Sequence, residues 1–220
     1  GGLYGDVVEE LDESVGAVVA ALESAGVAER TLLLVSSDNG PWFQGSSGAW
    51  RGRKFDVFEG GTRVPRVAWW PGGGGASRPD RSTEGGSDDG GPGAAAAISS
   101  TPVSLLDVFP TALELARLPL PSDRVVDGVS LAALLARGEP LAERAIVFHQ
   151  LGVPRALRRG RFKYHDRHAV TYGNPMNWIW SPNRYRGPWL FDLESDPSES
   201  WDASRRHPEV ARVLAGELAA

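Results

Sequence analysis

A short apolar run that stops against a turn constrains this chain more than any other feature. Thr31-Leu-Leu-Leu-Val-Ser36 is rich enough in branched side chains to read as a buried strand. It ends at Ser37-Asp38-Asn39-Gly40-Pro41, where glycine and proline punctuate the chain. Asp38 and Asn39 therefore stand side by side at the carboxyl end of a strand, the end at which open α/β sheets bind ligands. Asp-Asn-Gly by itself is more often a turn than a metal site. Upstream, Asp6-Val-Val-Glu9 reads as a capping box, and Val8, Leu11, Val15, Val18 and Leu22 recur at helical spacing up to Gly26. Their apolar stripe is expected to pack on a core. Helix followed by buried strand is half of a βαβ unit and favours a largely parallel sheet, so the chain is expected to be α/β.

The turn-rich loop Arg51-Gly-Arg-Lys54-Phe-Asp-Val-Phe-Glu59-Gly60-Gly61-Thr-Arg63-Val-Pro65 follows. Glu-Gly-Gly alone reads as a loop with two flexible positions. Taken in order, the apolar strand, Ser-Asp-Asn-Gly-Pro and Lys54-x-x-x-x-Glu59-Gly60-Gly61-x-Arg63-x-Pro65 resemble the sulfatase family. Arg53 departs from that pattern, which commonly has glycine before the lysine. Tyr4 to Gly16, Val103 to Thr111 and Asp127 to Leu131 also look sulfatase-like, the last two being structural phrases. The carboxyl-terminal stretch is similar to the small final domain of arylsulfatase A, galactosamine-6-sulfatase and steryl-sulfatase.

The resemblance implies the carboxyl-terminal part of an alkaline-phosphatase-like sheet with flanking helices. Residues 1–144 are then expected to be catalytic-domain sequence, with a flexible insertion at 72–97. Residues 145–220 are expected to form a small antiparallel domain closed by a helix from His207. Val64 to Pro71 should add a strand to the first part. The helix opened by Thr101-Pro102 should break at Pro110 and restart at Thr111.

Composition narrows the rest. The chain has 220 residues, a net charge of -5 and no cysteine. That balance argues against a general nucleic-acid binder, and no apolar run approaches a bilayer span. With no initiator methionine and no signal peptide, the chain is expected to begin in mid-protein. Lys54 and Lys163 are its only lysines among 23 basic residues.

Chemically, the resemblance implies a sulfuric ester hydrolase of the arylsulfatase type acting on a sulfate-ester small molecule or sulfated glycan. Asp38 and Asn39 would be metal ligands, and their hard oxygens suit Ca2+. Lys54 would bind the sulfate as the catalytic cation, while Glu59 and Arg63 hold the loop. His165 matches a histidine near the pocket mouth of the family, although an exposed or core histidine is the commoner reading. The nucleophile of the family is a formylglycine made from cysteine in Cys-x-Pro-Ser-Arg. It is expected upstream, so these residues alone should be inactive. A decayed non-catalytic chain, or a phosphodiesterase or phosphatase of the same superfamily, is the alternative; Asp-Asn in place of Asp-His counts against the latter. The resemblance also implies a secretory, lysosomal or extracellular setting and leaves room for a homo-oligomer. The basic run Arg155 to Arg167 reads as a solvated strand face. Trp178, Trp180, Trp189 and Trp201 read as core.

Overall fold

Glycine and proline cut this chain into short elements, and the computed structural model describes them over residues 2–73, 98–169 and 185–220. Most of the expected insertion, together with Trp178 and Trp180, lies outside those residues. The architecture is α/β. Two compact units interleave along the sequence: Gly1–Val7, Ser36–Arg66 and Glu143–Ala220 make one, Val8–Val35 and Val67–Ala142 the other.

Helix α1 (Gly2–Ser24) begins before the expected cap, so Asp6 lies inside it. None of its residues is buried: Leu3 is 82% exposed and Leu11 62%. The amphipathic stripe formed the helix, but among the described residues it does not pack into a core. Strand β1 (Leu33–Ser36) carries the run read from the sequence and is half-buried rather than enclosed. After α2 (Glu59–Thr62), strand β2 (Arg66–Trp69) hydrogen-bonds to β1 in a two-stranded sheet.

The unit that contains residues 67–142 settles the helix at Pro110 differently from the expectation. Ser104 and Asp107 form a reciprocal capping box ahead of a 3-10 turn, and α3 (Val108–Leu115) runs through Pro110 without a break. Pro110 sits in the first turn, where its missing N–H has no intrahelical acceptor to lose. Asp107 is wholly buried and accepts from the Val129 N–H at 2.9 Å. Thr111 accepts from the Leu131 N–H at 2.8 Å. A Cβ on Gly128 would lie 2.1 Å from the Leu106 carbonyl oxygen. The two phrases read as structural are therefore built against each other, and α4 (Ala132–Arg137) follows directly.

The other unit holds a four-stranded antiparallel sheet ordered β3-β4-β5-β8, from β3 (Ala145–Gln150), β4 (Val153–Arg159), β5 (Phe162–His165) and β8 (Trp189–Asp192). Between β5 and β8, β6 (His168–Ala169) pairs with β7 (Tyr185–Arg186). Leu151 and Gly152, both at positive φ, close the β3–β4 hairpin, the geometry whose twist matches flanking strands. On one face Leu157 and Leu190 pack on Leu214 of α5 (Pro208–Ala219), with Phe162 and Tyr164 beside them. The alternate residues of β5, Lys163 and His165, point to the opposite face and have no solvent exposure. The solvated-face reading of the basic run therefore fails at Lys163, because that face is roofed by Phe58 and Glu59. Trp189 packs on the Phe58–Phe191 cluster as expected, whereas Trp201 is 79% exposed, a surface residue and not core.

Candidate functional site

The loop after β1 is shaped by its own side chains. Asp38 Oδ1 accepts from the Asn39 N–H at 2.9 Å, and Ser37 Oγ donates to the Asn39 carbonyl at 3.0 Å. The Asn39 amide nitrogen donates to the Gly40 carbonyl at 2.9 Å, which leaves its amide oxygen as the group for a ligand. Asp38 is exposed and Asn39 half-buried, so both are placed at the strand end with access from outside.

Gly40 joins this turn to the second motif. Its N–H donates to the Gly61 carbonyl at 2.9 Å, and a Cβ on it would fall 1.9 Å from the Gly60 oxygen. Glycine is required by that approach. The same holds for Gly60 and Gly61, whose Cβ atoms would lie 2.5 Å from the Arg51 oxygen and 2.2 Å from the Asp56 oxygen. They serve close packing, not the flexibility that Glu-Gly-Gly suggests in isolation. The Lys54 N–H donates to the Pro41 carbonyl at 3.0 Å, so the lysine backbone is tied two residues beyond Asn39. Lys54 is half-buried, with its Nζ 5.8 Å from the Phe55 ring centroid.

Beneath this loop lies a buried ionic group. Lys163 Nζ, fully enclosed, is 2.8 Å from Glu59 Oε1 and 3.3 Å from Glu199 Oε1. Glu199 Oε2 accepts from the Glu59 N–H at 2.5 Å, and Glu199 Oε1 is 2.7 Å from His165 Nε2. Burial raises the Glu199 carboxyl above its ordinary range, and the Lys163 ammonium opposes that rise. Glu59 also faces Arg63 at 3.6 Å and Arg158 at 3.9 Å. Arg51 donates to the Glu199 carbonyl at 2.8 Å and lies over the Phe58 ring at 4.1 Å. Glu59 and Arg63 thus hold the loop by ion pairing.

His165 is the singled-out residue that does not reach the loop surface. It has no solvent exposure and its ring stacks on Phe58 at 4.8 Å, the position of a core histidine. Sequence reasoning missed Lys163 and Glu199. Glu199 sits at positive φ in a turn braced by Asp196, and its partner Glu59 is 140 residues away, so no local pattern announces it. Lys163 does carry a signal, being one of only two lysines in the chain.

Asp38 and Asn39 offer a carboxylate and an amide oxygen, the donor chemistry calcium takes. Calcium fills six to eight positions, so further ligands must join these two. Among the described residues, no group of three or more His, Cys, Asp or Glu side chains converges as a metal site. No cysteine is present to supply a thiol-derived nucleophile. No helix among the described residues is long and apolar enough to cross a membrane.

A family model described as Sulfatase matches residues 2–118. Mouse N-acetylgalactosamine-6-sulfatase is 35% identical over 170 residues, covering 74% of this chain and 29% of its own length. Rat steryl-sulfatase is 37% identical over 246 residues, covering 97% of this chain and 39% of its own. The solved PsFucS1 sulfatase from Pseudoalteromonas sp. superposes with a TM-score of 0.73 at 26% identity, over 97% of this chain and 42% of that one. The chain thus spans well under half of the length of the curated relatives it matches.

Proposed function

The chain belongs to the sulfatase family, and from that premise we propose that it is the carboxyl-terminal part of a sulfuric ester hydrolase that cleaves sulfate monoesters. One observation carries this reading: the two motif halves are hydrogen-bonded to each other, Gly40 to Gly61 and Lys54 to Pro41. That docking brings the lysine loop back to the strand end that bears Asp38 and Asn39.

Each residue has a defined task in this reading. Asp38 and Asn39 hold a calcium ion through their oxygens, together with ligands from outside these residues. When bound, the ion supplies Lewis-acid stabilisation of the sulfate oxygens. Lys54 places an ammonium against the same oxygens, where negative charge must be neutralised as the ester breaks. The nucleophile comes from sequence other than this chain, as formylglycine does in the family resembled. The substrate is a sulfate ester on a small molecule or a glycan.

The test is hydrolysis of an aryl sulfate and the matching aryl phosphate by the complete protein that carries this chain, alongside calorimetric titration with Ca2+. The expected result is sulfate release that chelation abolishes and Ca2+ restores, with calcium binding lost in Asp38→Ala. Preference for the phosphate ester would move the assignment to a phosphatase or phosphodiesterase. Unchanged calcium binding in Asp38→Ala would remove the metal site from this strand end.

A further inference from the structure

Phe55 has a backbone conformation that a side chain resists. Its φ is +78°, in the left-handed region where residues other than glycine are uncommon and a bulky one is an outlier. The residue is also 42% exposed. The turn around it is fixed. The Asp56 N–H donates to the Arg53 carbonyl at 2.8 Å, and Asp56 Oδ2 accepts from the Arg53 N–H at 3.1 Å. Gln150, itself buried, donates its side-chain amide to the Phe55 carbonyl at 2.8 Å. Backbone strain held by such surroundings concentrates at ligand-binding positions.

The neighbours of the ring define what it could hold. Trp42 meets Phe55 edge to face, with centroids 5.7 Å apart and planes at 85°. The two rings form a corner with walls at nearly a right angle. Lys54 Nζ lies over the Phe55 ring, 5.8 Å from its centroid, so a cation stands above one wall. Phe43 adjoins Trp42 at 4.9 Å, but the Arg53 guanidinium covers its face at 4.6 Å, which takes it out of the corner. A cation next to an aromatic corner suits an anion carried on a ring of some thickness.

We propose that Phe55 and Trp42 seat the sugar ring that carries the sulfate ester, which makes Phe55 a specificity-determining residue. This deepens the reading of Lys54 as the sulfate-binding cation and rests on it. With a sulfate oxygen about 2.8 Å from the ammonium, the ester-bearing carbon comes within reach of the Phe55 face. The axial C–H bonds of a pyranose present weakly positive hydrogens to the negative face of an aromatic ring. A chair has both a face and an edge to offer the two walls, whereas a flat aryl sulfate can lie on one wall only.

The experiment compares wild type with Phe55→Gly and Trp42→Ala in the complete protein that carries this chain. Calorimetric titrations use inorganic sulfate, methyl galactoside 6-sulfate and phenyl sulfate, with Tm measured in parallel. Phe55→Gly relieves the positive φ while deleting the ring, so Tm should hold or rise. Affinity for the sugar sulfate should fall about tenfold, the scale of one lost aromatic contact, while inorganic sulfate binds as before. Phenyl sulfate should weaken less than the sugar sulfate, and Trp42→Ala should repeat the ligand pattern. Unchanged sugar-sulfate affinity in Phe55→Gly, a larger loss for phenyl sulfate, or a drop in Tm typical of a core residue would each overturn the proposal. Absence of inorganic-sulfate binding in the wild type, or undiminished binding in Lys54→Ala, overturns the Lys54 reading and this inference with it. Binding that depends on Lys54 but ignores Phe55→Gly overturns this inference alone.

Discussion

Replacing Lys163 by methionine would keep an apolar stem of similar length in the sheet and delete one buried positive charge. Its ammonium lies between two carboxylates, 2.8 Å from Glu59 and 3.3 Å from Glu199, with no solvent exposure to screen the loss. The remaining cations near Glu59, Arg63 and Arg158, stand farther off at 3.6 Å and 3.9 Å. Removing one member of a buried ionic group costs about 3–5 kcal/mol, which is about 6–20 °C in Tm for a chain of this size. The loss should depend on pH. Burial holds the Glu199 carboxyl above its ordinary range in the folded chain. Its contribution is therefore full below the usual glutamate range and falls as pH rises through the folded value. Without the opposing ammonium that folded value moves higher still, so protonation relieves more of the damage as the solution is acidified. Thermal unfolding followed by near-UV circular dichroism should show a larger deficit for Lys163→Met at about pH 8 than at about pH 5. A deficit below about 1 kcal/mol, or one equal at both pH values, would refute the argument that this lysine neutralises an enclosed carboxylate pair.

Gly40→Ala should prevent the two motif halves from docking, because the added methyl meets the Gly60 backbone at 1.9 Å. Its soluble yield or Tm should fall well below that of Gly16→Ala, where the backbone is helical and a Cβ would meet nothing within 4 Å. The Arg161 guanidinium, hydrogen-bonded to Asp192, lowers that carboxyl to about 2. Its stabilising contribution is present above the ordinary aspartate range and lost as pH falls through the folded value, so Arg161→Ala should raise the midpoint of acid unfolding. The uncovered stripe on α1, with Leu3 and Leu11 largely exposed, should make the 220-residue chain bind a hydrophobic dye, less so after Leu3→Ser and Leu11→Ser.

The parts of this structure legible in the sequence are those written in local pattern. Apolar runs bounded by turn residues predict β1, β2 and the four-stranded antiparallel sheet, and the terminal helix expected from His207 is α5. Pro110 misled because its position within a helix, not its presence, decides whether an N–H is missed, and the cap is Ser104, three residues beyond the Thr101 expected to open the helix. The α1 stripe was read correctly as amphipathic, but amphipathicity does not say what covers a face. At the candidate site, Asp38, Asn39 and Lys54 are proposed from contiguous motifs, whose two halves are hydrogen-bonded to each other. The support under them was not, since Lys163 and Glu199 reach Glu59 across 104 and 140 residues. Phe55 was passed over because a positive φ at a non-glycine residue is visible only once the backbone is known.

The most direct test of the central claim is turnover of a sulfate monoester by the complete protein carrying this chain, wild type against Lys54→Ala, with circular dichroism confirming an unchanged fold. Loss of one preorganised electrostatic donor should lower turnover by roughly a hundredfold or more. Near-normal turnover without the Lys54 ammonium would contradict the claim that this loop binds the sulfate.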